Sequence, residues 1–138
     1  MKYRLILILF AFSLVLINGC TYSTSTHNEI AINYADSVFQ YYYVENEIVH
    51  IICKITIENK STSDAEVLLN AISDEDVGNG LLNKPEMCGI DTETGVAILK
   101  VEAGQLQGFI IDFQGEFAGN NQKYDRMIPD VLEIVLVK

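Results

Sequence analysis

Residues 48–58 read IVHIICKITIE, and the order of apolar and polar side chains in them suits one backbone conformation. Val49, Ile51, Cys53, Ile55 and Ile57 alternate with His50, Ile52, Lys54, Thr56 and Glu58. Successive side chains of an extended chain leave opposite faces, so the first set forms an unbroken apolar face; a helix would scatter it around its axis. The β-branched side chains in the run favour the same extended backbone. Such a strand needs another apolar layer over it, so a layered β-structure is expected for the whole domain.

Shorter period-two segments recur at residues 30–34, 38–43, 65–71, 96–101, 106–113 and 131–137, and no long run beyond residue 30 carries the apolar period of an amphipathic helix. Turn-rich links separate them at 44–47, 59–64 and 102–105, with longer polar stretches at 73–83 and 115–129. One short helical turn is expected at residues 85–88. A chain of 138 residues has room for one domain, here 30–138. Hairpin-length links without crossover helices point to an all-β, two-sheet antiparallel sandwich, with an immunoglobulin-like topology favoured and a small barrel as the alternative.

The N-terminus has a different character. Lys2 and Arg4 precede an apolar run at residues 5–17, followed by Asn18, Gly19 and Cys20. As a helix that run spans about 20 Å, short of the roughly 30 Å hydrocarbon core, and the basic flank suits an export signal. An ordinary cleaved signal or an uncleaved anchor are the plain alternatives. The segment resembles the precursors of bacterial lipoproteins, whose signal ends in an apolar residue, a variable one, a small one and a cysteine; here these are Ile17, Asn18, Gly19 and Cys20. The resemblance covers residues 1–20 only. It implies a signal peptide at 1–19, lipid (palmitate) on Cys20 and residence in the cell envelope. Thr21 is not the aspartate linked to inner-membrane retention, which favours the outer membrane facing the periplasm in a diderm organism, or otherwise the outer face of the cytoplasmic membrane. Residues 20–29 then form the lipidated cysteine and a polar tether containing His27, and several acyl chains hold a domain where one chain is marginal.

Losing Lys2 and Arg4 with the signal takes the formal charge from −10 to −12, which opposes binding to a phosphate backbone, so no nucleic-acid partner is expected. Cys53 and Cys88 then remain. In an oxidising compartment they allow one disulfide, closing a loop of about 36 residues worth roughly 3–4 kcal/mol, or they stand as two separate thiols. Cys53 belongs to the apolar face of its strand, which suits a small buried side chain.

No catalytic constellation is legible. Ser37, Ser61, Ser63 and Ser73 lie beside turns without a nucleophile-elbow pattern, and His27 and His50 have no ligand spacing to either cysteine. Asp74 and Asp76 are weak calcium candidates, because Gly78 and Asn79 break the loop pattern that follows them. Gly104, Gly108, Gly115 and Gly119 sit in a β context and suit turns or close packing rather than a phosphate loop. No cofactor is expected.

The run Phe39-Gln40-Tyr41-Tyr42-Tyr43 is the most distinctive surface candidate. Unbroken alternation puts Phe39, Tyr41 and Tyr43 on one side and Val38, Gln40 and Tyr42 on the other. Tyrosine pairs a broad apolar face with a hydroxyl, which serves sheet packing or recognition. Tyr41 and Tyr42, with Tyr124 beside Asp125 and Arg126 as a second surface, are the candidate contact residues. The function expected is a non-enzymatic envelope lipoprotein that contacts an envelope protein or the cell wall; the alternative is a small-ligand or calcium binder.

Overall fold

The computed structural model describes residues 29–121 and 126–137; Cys20, His27 and Tyr124 lie outside them. The elements are β1 (Ile30–Ile32), a 3₁₀ turn (Tyr34–Asp36), β2 (Val38–Glu45), β3 (Ile48–Asn59), β4 (Ala65–Ile72), α1 (Asp74–Gly78), β5 (Glu86–Asp91), β6 (Ile98–Val101), β7 (Leu106–Glu116) and β8 (Val131–Leu136).

The alternating run is β3, the longest strand. It pairs with β7 over its length, from Ile48 opposite Glu116 to Glu58 opposite Leu106. Its other edge is shared by β1, opposite Ile57 to Asn59, and β2, opposite Ile48 to Lys54. Between them the 3₁₀ turn is fastened to β3: the Thr56 N–H donates to Ser37 Oγ at 3.0 Å and Thr56 Oγ1 donates to the Asp36 carbonyl at 3.0 Å. The β2–β3 link turns at Asn46 and Glu47, both at positive φ, as a tight hairpin matching the strand twist requires.

All the ladders are antiparallel and belong to one sheet, in the order β1-β3-β7-β5-β4-β6, with β2 also on β3 and β8 also on β4. β5 joins the two halves: Cys88 to Asp91 pair with β7, and Glu86 to Cys88 pair with β4. β8 occupies the edge of β4 opposite β5 and β6, and β1 comes to rest near β8, so the sheet is nearly closed into a barrel. The all-β, antiparallel expectation therefore holds. The two halves are joined by a laddered strand rather than being separate sheets, which is the barrel alternative's arrangement.

The core lies inside this curl. Val49, Ile51, Cys53, Ile55 and Ile57 meet Val67, Leu69, Ile111, Phe113, Met87 and Leu99 there, all buried. The inward set of β3 is the one its alternation indicates.

Two local expectations are corrected. Residues 85–88 form no helical turn; Pro85 precedes β5 and Glu86 to Cys88 are its first half, and the short helix is α1. In β5, Met87, Gly89 and Asp91 face inward while Glu86, Cys88 and Ile90 face outward. A glycine and a buried aspartate on the inner face hide the period from a reader of the sequence. Asp91 is tolerated there because its carboxylate accepts from the N–H groups of Glu93 and Thr94 and from Thr94 Oγ1 at 2.7 Å, fastening the following turn.

The second correction is to the tyrosine run. A β-bulge at Gln40 shifts the register between Phe39 and Tyr41, so that Phe39 stands opposite Cys53 but Tyr41 opposite Ile52. Downstream faces are therefore exchanged: Phe39, Tyr42 and Val44 pack on the core, while Tyr41 and Tyr43 point outward.

Candidate functional site

The bulge builds the most distinctive surface of the molecule. With Tyr43 turned outward, one row crosses four strands in register: Tyr43 of β2, His50 of β3, Gln114 of β7 and Cys88 of β5. The next row is Tyr41, Ile52, Asp112 and Ile90. The Tyr43 and His50 rings stack almost parallel, 4.5 Å apart at 4°, and Tyr41 extends the ladder at 6.3 Å from Tyr43. Tyr41 is 56% exposed and Tyr43 40%. The cross-strand Tyr43–His50 contact contributes about 0.5–1 kcal/mol, and Tyr41 joins it as the same-strand neighbour two residues before Tyr43.

A polar bracket holds the ladder upright. His50 Nδ1 donates to Asp112 Oδ2 at 2.8 Å, and Gln114 Nε2 donates to the same oxygen at 2.7 Å. A carboxylate only accepts, so the proton of the first bond sits on Nδ1 and the ring orientation is set. Asp112 Oδ1 is buried without a hydrogen-bond partner among the described residues. Lost hydration, then the Asp112 and Glu45 carboxylates, then Tyr41, raise the Tyr43 phenol above its ordinary pKa.

A carboxylate row borders the ladder. Glu45 and Glu116 stand opposite Ile48 from either side, and Glu86 lies two residues before Cys88 on β5. Lys54 is the one lysine or arginine on β2, β3, β5 and β7.

The other sequence candidates fall elsewhere. Tyr42 is inward: its hydroxyl donates to Asn121 Oδ1 at 3.1 Å, and the Arg126 guanidinium lies 4.8 Å from its ring centre. Asp76 does not stand with Asp74 as a cation-binding pair. Its carboxylate is buried, accepts from Ser73 Oγ at 2.6 Å and is gripped by both terminal nitrogens of Arg126, while Asp74 is exposed. Residues two apart on a helical turn point to different sides, which separates the two aspartates. Among the described residues no group of three or more His, Cys, Asp or Glu is placed to hold a metal ion.

Cys53 and Cys88 do not form the disulfide. Cys53 points into the core and Cys88 outward, on strands separated by β7. Two strand spacings of about 4.8 Å exceed the roughly 7 Å that a disulfide bridges between Cα atoms. Burial pushes the Cys53 thiol up to about 12, with Arg126 opposing the shift. In a Cys20→Ser form, a thiol reagent should label Cys88 in the native protein and reach Cys53 only in concentrated denaturant; mass spectrometry after labelling checks this.

Grooves flank the outer edge of β2. One of about 580 Å³ is lined by Phe39 to Val44 and Asn121, and another of about 470 Å³ by Tyr34, Val38, Met127 and Pro129 among others. Sequence reasoning missed the His50–Asp112 contact. Its only trace was a polar residue in the middle of each of two apolar strands, which register alone brings together. No family model, no curated protein and no solved structure matches the chain.

Proposed function

We propose that this protein is a lipid-anchored, non-enzymatic component of the bacterial cell envelope, held through Cys20, whose barrel domain binds another protein on the outer face of β2, β3, β7 and β5. The observation that carries the reading is the Tyr41–Tyr43–His50 ladder, solvent-facing aromatic area braced by Asp112 and Gln114. Stiff aromatic side chains fixed in one orientation lose little entropy on contact, and tyrosine is enriched at protein interfaces. Anchoring agrees with the leader, whose lipobox-like end implies lipid on Cys20.

The test combines address and contact. Cells expressing the full chain should incorporate a palmitate label, and a Cys20→Ser form should not. A photocrosslinking residue in place of Tyr43 should capture one stoichiometric envelope protein, with capture lost in Tyr41→Ala. Absence of label sinks the anchor; capture that is diffuse or indifferent to Tyr41 sinks the interface. A small-ligand reading retains one supporting observation, the groove of about 470 Å³ beside β2.

A further inference from the structure

We propose that the occupant of this face is a basic protein segment, its arginine side chains lying against Tyr41 and Tyr43 and its charge meeting the carboxylates of Glu45, Glu86, Glu116 and Asp112. The proposal rests on the protein-binding reading above and narrows it to one partner chemistry.

Charge is the first argument. By strand alternation, Glu45, Glu58, Glu86, Asp112 and Glu116 point outward from the sheet, against Lys54 alone. Glu58 is answered by Lys60 at 3.2 Å. Among the described residues no lysine or arginine lies within ion-pair distance of Glu45, Glu86 or Glu116. These three share one end of the face, where neighbouring strands are about 4.8 Å apart. Glu86 and Glu116 stand on adjacent strands, inside one Debye length of about 8 Å at physiological salt, and Glu45 lies two spacings, about 9.6 Å, from Glu116. The like charges therefore reinforce one another's field most strongly between Glu86 and Glu116 and attract a countercharge. The raised Tyr43 phenol agrees, since Asp112 and Glu45 are among its causes and the field therefore reaches the ladder.

Asp112 strengthens the same field. Its side chain is 12% exposed in the middle of the face; Oδ2 accepts from His50 and Gln114, and Oδ1 has no donor among the described residues. Because that oxygen has no exposed surface, Asp112 acts on the face through its charge rather than by direct contact, adding to the negative field around the ladder.

The aromatic component selects arginine over lysine. Tyr41 ends the stack and is exposed, which leaves it available to a planar cation. A guanidinium stacks on such a ring while its remaining N–H groups bond carboxylates, whereas an ammonium is a strongly hydrated point charge. An acidic face repels anionic lipid headgroups, which disfavours a membrane surface as the occupant.

The test uses the ¹⁵N-labelled full chain in non-ionic detergent micelles, titrated with deca-arginine, deca-lysine and deca-glutamate. Deca-arginine should shift the amides of Tyr41, Tyr43, His50 and Glu116 saturably. Its Kd should rise at least tenfold in Tyr41→Ala/Tyr43→Ala and in Glu45→Gln/Glu116→Gln, with Ile55 and Phe113 amides unmoved as the sign of an intact core. Deca-lysine should bind at least fivefold more weakly, and deca-glutamate should leave the face unshifted. Shifts spread over the whole surface, equal binding of the two basic peptides, or a Kd unchanged in both variants would overturn the proposal. A partner captured at Tyr43 while deca-arginine leaves the face unshifted would remove the basic chemistry and keep the interface; failure of both experiments removes both.

Discussion

Arg126→Met should destabilise the domain by about 3–5 kcal/mol, because it leaves the Asp76 carboxylate buried without its cation. Both side chains of this pair are almost fully enclosed, at 6% and 4% exposure. The guanidinium grips both carboxylate oxygens and lies against Tyr42, so one side chain ties α1, β2 and the segment leading to β8 together. Opposite charges out of water are worth little against a well-packed apolar pair, but an orphaned charge is expensive. Asp76→Leu combined with Arg126→Met should therefore recover at least half of the loss. Urea unfolding of the three proteins, compared at equal m-value, measures both effects. A single variant within about 1 kcal/mol of the parent would mean that Asp76 reaches water when Arg126 is gone.

The next largest effect is expected at Gly89, and its comparison with Gly115 separates two kinds of close packing. A Cβ at Gly89 would sit 2.8 Å from the Leu69 carbonyl oxygen, 2.9 Å from Ile111 Cγ2 and 3.0 Å from Phe113 Cε1. The first of these is backbone of the neighbouring strand, which moves only if the β4–β5 ladder moves. At Gly115 the obstacles are Leu82 Cδ2 at 2.6 Å and Met87 Cγ at 3.0 Å, the ends of flexible side chains. Gly89→Ala should thus cost about 3 kcal/mol and Gly115→Ala about 1 kcal/mol, the latter partly offset because alanine restricts the unfolded chain. Denaturation midpoints of the two variants give the order directly. The reverse order would place the rigid contact at β7 instead of β5.

Both predictions concern features that the amino-acid order does not reveal. Gly89 reads as an interruption of period two, and only the Leu69 carbonyl behind it explains why no side chain stands there. Arg126 reads as a loop charge among acidic neighbours; the structure carries it to Asp76, fifty residues away in sequence. The tyrosine run was legible as a place of interest, yet its faces were not. One extra residue at Gln40 exchanges them, and a bulge is a property of two paired strands rather than of one.

What the sequence determined by itself is local and periodic. The β3 alternation dictates which five side chains face the core, and the strand-rich body follows from repeated period-two segments. The tertiary structure decided everything that depends on register: the closing path through β5, the opposite orientations of Cys53 and Cys88, and the meeting of His50 with Asp112 across 62 positions. The reason is physical. A strand's two faces follow from side-chain polarity along one segment, whereas the neighbour opposite each residue follows from ladders whose partners are distant in the chain, and those partners build the face proposed to bind.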